Sequence, residues 1–202
     1  VINPLRSNYV SEKVNLQDKN VIDVACGGGL LVEALNKFGA NVTGIDISDV
    51  AINTAQIHAE KTNCDVTYIH GEAEDLLPEK KESFDVVTCL EAIEHVPDPQ
   101  QLVKTCSDLC KPGGTIVFST INRNPKSFLF AIIGAEYILN LLPKGTHEFK
   151  KFLKPSELSN MMRNSNLEVK EIIGMSYNPL TKKYWLGKDV DVNYMIHAEK
   201  SK

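Results

Sequence analysis

Glu91, Glu94 and His95 stand at i, i+3 and i+4 within Glu91-Ala92-Ile93-Glu94-His95-Val96-Pro97-Asp98-Pro99. On a helix, that spacing puts all three side chains on one face. Two carboxylates and an imidazole suit a divalent cation, the hard oxygens favouring Mg2+ and the ring nitrogen admitting Zn2+. His95 alone would instead serve as a general base. A surface helix with ordinary charges is the plain alternative, and spacing alone leaves all three open.

A second group of residues points to a nucleoside. Val21-Ile22-Asp23-Val24-Ala25-Cys26-Gly27-Gly28-Gly29 is an apolar run closing on three glycines. Leu30, Leu31, Ala34, Leu35 and Phe38 then recur at helical spacing, which predicts strand, turn and amphipathic helix. Gly27 and Gly29 would let a ligand approach bare backbone. No Gly-Lys-Ser/Thr follows, and Val32 occupies the third glycine position of a dinucleotide fingerprint, so neither phosphate cradle is complete. Asn41-Val42-Thr43-Gly44-Ile45 predicts a second strand ending at Asp46, an acid placed to accept ribose hydroxyls. Gly71-Glu72-Ala73-Glu74-Asp75 follows a third strand. There a small residue, Ala73, would meet an adenine ring, or the segment is simply an acidic, solvated loop. Arg6, in Asn3-Pro4-Leu5-Arg6, is either a solvated charge or a bidentate partner for a ligand carboxylate.

These residues need a frame that gathers strand ends. Further strands are expected at 66–70, 84–90, 115–120, 167–174 and 191–197, and helices at 48–61, 100–110 and 155–166. Such alternation predicts one α/β domain over 1–202, a doubly wound parallel sheet with helices on both faces. A chain of 202 residues with 43 % hydrophobic and 24 % charged residues has room for a full core. Its net charge of -4 gives no electrostatic reason to expect nucleic acid. Five scattered cysteines without a Cys-x-x-Cys pair fit reduced thiols in an intracellular compartment. The chain opens on Val rather than Met, so we expect a preceding segment to be missing.

The segment from Phe128 to Leu142 is apolar nearly all round and is followed by Pro143-Lys144-Gly145-Thr146-His147, Lys150, Lys151 and Lys154. It is too short to span a bilayer. It reads as a buried lid over the site or as a helix lying in the bilayer interface, with lysines near anionic head groups. Tyr177-Asn178-Pro179 and Tyr184-Trp185-Leu186-Gly187 form an aromatic loop, suited to an apolar pocket or to ordinary packing.

The glycine turn and Asp46 together resemble the cofactor site of class I S-adenosylmethionine-dependent methyltransferases. Methyl transfer from a sulfonium is an in-line displacement, so placement of donor and acceptor is the protein's main contribution. A phenolic acceptor, with a pKa near ~10, needs its proton drawn off by a cation or an imidazole.

The resemblance narrows over Asn3-Pro4-Leu5-Arg6, the Glu91-to-Pro99 run, Ser119-Thr120-Ile121-Asn122-Arg123-Asn124, Gly134-Ala135-Glu136-Tyr137-Ile138-Leu139, Pro143-to-His147 and Asp191-Val192-Asn193-Tyr194-Met195. Together these are similar to the ubiquinone-biosynthesis O-methyltransferase family. The resemblance implies a Rossmann-like class I methyltransferase sheet, mostly parallel with an antiparallel C-terminal strand, and an apolar insertion (126–154) after the fifth strand. It implies two methylations, each on a hydroxyl of a polyprenylated catechol. S-adenosyl-L-methionine is the implied donor, bound by Arg6, the turn at Ala25, Gly27 and Gly29, Asp46, Ala73 and Leu90. His95 and Glu91 would be catalytic, and Glu91, Glu94 and His95 would hold Mg2+ or another divalent cation. Implied partners are an anionic membrane surface and other ubiquinone-biosynthesis proteins. The implied location is peripheral, on the cytoplasmic face of a bacterial inner membrane or the matrix side of a mitochondrial one. One departure stands out: the family usually carries glycine where this chain has Ala25. A methyl group there is tolerable at negative φ and crowds the cofactor otherwise.

Overall fold

The computed structural model describes residues 2–127, 149–178 and 181–202. Five strands, β1 (Asn20–Val24), β2 (Asn41–Asp46), β3 (Thr67–His70), β4 (Phe84–Leu90) and β5 (Cys110–Ile121), pair in parallel. Three more follow, β6 (Leu167–Asn178), β7 (Lys183–Gly187) and β8 (Asn193–Lys200), in one sheet ordered β3-β2-β1-β4-β5-β8-β6-β7. β8 runs antiparallel between β5 and β6, and β7 runs antiparallel along the outer side of β6.

The central strands are apolar on both faces, as parallel strands covered by helices must be. Residues of β1 alternate between two cores. Val21 joins Tyr9, Val10, Leu31, Val32, Leu35, Val86, Val117 and Met195 under α1 (Asn3–Lys13) and α2 (Leu30–Asn36). Ile22 and Val24 join Val103, Cys106, Leu109, Phe118, Leu158 and Met162 on the side of α5 (Pro99–Leu109) and α7 (Pro155–Arg163). α3 (Asp49–Thr62) begins where expected, the Ser48 hydroxyl accepting from the Ala51 N–H at 3.3 Å. α4 (Leu77–Lys80) and α6 (Pro125–Ser127) are single turns.

Three elements differ from expectation. Residues 3–13 form α1 despite a polar composition. Pro4 suits a first helical turn, and Tyr9 and Val10, with the small Ser7, bury the inner stripe. β5 begins at Cys110, straight off α5, so Lys111-Pro112-Gly113-Gly114 lies within a strand whose register against β4 shifts between Phe84 and Val86. The aromatic loop is instead the β6–β7 hairpin, which gives the sheet a second antiparallel strand where one was expected. The lid or membrane-contact segment Phe128 to Leu142, with Pro143 to His147, lies outside the described residues, as does Pro179. Among the described residues no helix is long and apolar enough to cross a membrane.

The turn after β1 depends on Gly29, the residue before α2, at φ +77°. A Cβ there would lie 2.1 Å from the Tyr68 hydroxyl oxygen. Gly29→Ala should therefore cost about 1–2 kcal/mol from the left-handed backbone alone. A fall in melting temperature of several degrees, followed by circular dichroism, checks this.

Candidate active site

The adjacent strands β1 and β4 are each followed by a non-glycine residue in the left-handed region. Ala25 has φ +58° and Glu91 has φ +56°. Such conformations cost of order 1–3 kcal/mol and collect where a site fixes the backbone. Both bends open the carboxyl edge of the sheet, the edge at which α/β sheets hold ligands.

Two clefts meet at Ala25. The smaller, about 200 Å³, is lined by Asn3, Arg6, Asp23, Cys26, Gly28 and Leu90 among others. It brings a guanidinium and a carboxyl into one wall. The larger, about 320 Å³, is lined by Asp46, Ile47, Ala73, Val96, Leu102 and neighbouring residues, and is mostly apolar. Wider depressions of about 420 and 780 Å³ lie toward the amino ends of the strands. That is the end such sheets do not use for ligands.

Asp46 closes β2 and organises the turn beside it. Its Oδ2 accepts from the Gly27 N–H and its Oδ1 from the Ser48 N–H, each at 2.8 Å. Gly27 therefore acts through Asp46, and Gly29 starts α2 against Tyr68, whose hydroxyl donates to the Gly29 carbonyl at 3.3 Å. Ala73 is buried in the wall of the larger cleft, and Leu90 borders the smaller one.

Arg6 reaches the site from α1, its Nη2 donating to Glu91 Oε1 at 2.5 Å. The same Glu91 oxygen accepts from the Ser119 hydroxyl at 2.9 Å and from Asn193 Nδ2 at 2.9 Å, and Oε2 accepts from Asn193 at 3.1 Å. Arg6 Nε is buried and unpaired. Asp23 is buried, with its edge in the cleft wall; it accepts from the Thr88 hydroxyl at 2.6 Å and is pushed by burial up to about 7, against the pull of Thr88 and Arg6.

Glu91, Glu94 and His95 do not share a helical face. Residues 91–97 are turns, the helix starting only at Pro99 with Asp98 as its cap. Glu91 binds Ser119, whereas Glu94 Oε2 accepts from the Thr120 hydroxyl at 2.8 Å. Consecutive residues of β5 face opposite sides of the sheet, so the carboxylates are held on opposite faces. Glu94 is buried with Oε1 unpartnered; burial first, and Glu91 second, push it up to about 7. His95 is exposed on the turn. Among the described residues no group of three or more His, Cys, Asp or Glu side chains is placed to hold a metal ion. The expected ligand set is therefore not assembled: Glu91 already serves three donors, and Glu94 is buried against Thr120 on the other face.

Residues 22–118 match the Methyltransferase domain family. A ubiquinone biosynthesis O-methyltransferase of Pseudomonas syringae pv. tomato is 58 % identical over 197 residues, covering 98 % of this chain and 85 % of that one. One from Saccharophagus degradans is 54 % identical over 200 residues, covering 98 % and 85 %. The chain belongs to the ubiquinone biosynthesis O-methyltransferase family. Solved structures agree on the fold. Magnesium protoporphyrin IX methyltransferase from Synechocystis, with bound S-adenosylhomocysteine (SAH), superposes with a TM-score of 0.73 at 18 % identity, covering 98 % of this chain and 82 % of that one. YcgJ from Bacillus subtilis gives 0.72 at 17 % identity, covering 97 % and 98 %.

At this carboxyl edge, sequence reasoning missed Asp23, Ser119 and Asn193. A lone acid inside a run as apolar as Val21-Ile22-Asp23-Val24 was the available signal for the first. Nothing local marks the other two, which strand pairing alone brings to Glu91.

Two predictions follow from this geometry. Ala25→Gly should relieve the left-handed alanine and stabilise the fold by roughly 1 kcal/mol. It should also tighten SAH binding; melting curves and calorimetric titration check both. For Asp23, the unfolded carboxyl loses its proton near ~4, while the folded one keeps it to about 7. Stability through this group therefore falls as pH rises across that interval. Asp23→Asn should accordingly gain stability relative to the parent between pH ~5 and ~8, read from paired denaturation curves.

Proposed function

We propose that this protein transfers a methyl group from S-adenosyl-L-methionine to a ring hydroxyl of a polyprenylated catechol, at both O-methylation steps of ubiquinone biosynthesis. The observation that carries the reading is the meeting of two unlike clefts at Ala25. The smaller offers Arg6 to a carboxylate and Asp23 to an ammonium, which suits the zwitterionic end of an amino acid. The larger offers Asp46 to ribose hydroxyls and an apolar slot between Ala73, Val96 and Leu102 to a purine. A nucleoside joined to an amino acid through sulfur, laid across both, has its sulfonium near Ala25 and Leu90, with Glu91 beyond.

The chain's own groups then do the rest. Glu91, fixed by Arg6, Ser119 and Asn193, presents its carboxylate where an acceptor hydroxyl would enter and holds it by hydrogen bond. His95, on the turn after β4, takes the phenolic proton as the carbon–oxygen bond forms and the sulfonium carbon–sulfur bond breaks. The products are an aryl methyl ether and SAH, and the proton leaves on the imidazole. A divalent ion at Glu91, Glu94 and His95 would have to displace Arg6 from Glu91 and a proton from Glu94. Transfer lost to a chelator and restored by Mg2+ would show that exchange.

The reading extends to a peripheral place on the cytoplasmic face of a bacterial inner membrane, since a polyprenyl acceptor resides in lipid. The apolar stretch from Phe128 to Leu142 and the lysines after it support this in sequence terms. Co-flotation with vesicles containing anionic lipid, and its loss in high salt, tests the placement.

Transfer from labelled S-adenosylmethionine to a short-prenyl catechol tests the activity. His95→Ala should lower kcat by about 100-fold or more and abolish the acidic limb of its pH profile, with SAH still bound. An unchanged limb removes His95 from the mechanism. Asp46→Ala should weaken SAH binding by roughly 10–100-fold. SAH binding without transfer to any catechol would overturn the activity itself.

A further inference from the structure

The β6–β7 hairpin carries an aromatic pair that the preceding account leaves unused. Tyr177 and Tyr184 are register partners whose rings stack with centroids 4.5 Å apart and planes tilted by 32°. Side chains alternate along a strand, so Ile173, Met175 and Tyr177 share one face of β6, and Tyr184 and Leu186 share the matching face of β7. Ile173 and Leu186 pack into the core beneath α1 and α2, which identifies that face as the α1 side. Trp185 points the other way.

Asn193 lies on the same side, two residues before Met195 of that core and directly opposite Met175. The Glu91 carboxylate, Asn193, Met175 and the two tyrosines therefore follow one another along one face of the sheet, a track of side chains. With strands about 4.8 Å apart and about 3.3 Å per residue, the tyrosines lie roughly 8–12 Å beyond Asn193. That span suits a substituted aromatic ring with its first side-chain unit. Asn193 spends its amide hydrogens on Glu91, and its Oδ1 is buried with no donor. A buried acceptor in that state carries a desolvation cost that a ligand hydroxyl would remove. Burial raises the Tyr184 hydroxyl, Tyr177 adds to this and Arg6 opposes it, so the hairpin lies within the field of the same arginine that holds Glu91.

We propose that this track is the acceptor subsite: Asn193 Oδ1 receives the catechol hydroxyl beside the reacting one, and the stacked Tyr177–Tyr184 pair seats the prenyl substituent. The proposal rests on the O-methylation reading and adds the side chains that would make a prenylated ring the preferred acceptor. Tyrosine suits the task, since its ring gives apolar area at little entropic cost while its hydroxyl tolerates the partly open position.

The test compares kcat/KM for a short-prenyl catechol and for the same catechol without the chain, in wild-type protein, Tyr177→Ser and Tyr184→Ser. Wild-type protein should favour the prenylated acceptor. Each serine variant should lose about tenfold or more of that preference, chiefly through KM for the prenylated compound. Tyr184→Leu, which keeps apolar surface, should recover most of it and serves as the measurement should a serine variant fail to fold. SAH titration confirms that each variant is folded. An unchanged preference in folded variants overturns the subsite. Unchanged preference together with weaker vesicle flotation assigns the tyrosines to lipid, which also overturns it. Should wild-type protein methylate neither catechol, the O-methylation reading itself falls, an outcome separate from any behaviour of the hairpin.

Discussion

The ion pair between Arg6 and Glu91 ties α1 to the carboxyl end of β4, and the site is assembled around it. Exposed ion pairs contribute little, but this one has side chains only 17 % and 26 % exposed. It is also embedded in hydrogen bonds from Ser119 of β5 and Asn193 of β8. Four elements distant in sequence thus converge on one carboxylate. Glu91 holds its strained backbone because these contacts over-determine it. Arg6, held at one end, keeps its remaining donors beside the smaller cleft.

Charge and apolar surface divide the site cleanly. The polar groups with the most at stake, Arg6, Asp23 and Glu91, sit on the α1 side of the sheet, whereas Glu94 and Thr120 face the other way. Two buried carboxyls beside the site, Asp23 and Glu94, are lifted to about 7, principally by burial. A group near neutrality responds sharply to whatever charge arrives next to it. An incoming ammonium would draw Asp23 back to its ionised form, so ligand charge and site charge are adjusted together.

Much of this was readable from the chain alone, for identifiable reasons. The strand–turn–helix around Ala25 and the acid ending β2 are local patterns, α3 announces itself through Ser48, and α5 through the apolar face of Leu102, Val103, Cys106 and Leu109. α1 escaped because two buried apolar side chains, Tyr9 and Val10, suffice to hold it. The hairpin escaped because Tyr177 and Tyr184 pair across a turn whose composition looks like loop. Glu91, Glu94 and His95 illustrate the opposite hazard. Their spacing is helical, but the left-handed backbone at Glu91 and the late helix start at Pro99 break the helix that the spacing presumes. Asn193 and Ser119 reach Glu91 only through long-range pairing, which periodicity cannot reveal.

The order of the sheet has a consequence for how the chain is made. β8 follows every other strand in sequence but lies between β5 and β6. Until it is synthesised, the β6–β7 hairpin has nothing to join, and β5 presents a bare row of amides and carbonyls to its surroundings. The nascent protein must therefore carry β6 and β7 while its middle is still unfinished. Closure is a single late insertion that delivers Asn193 to Glu91 and seals both cores together.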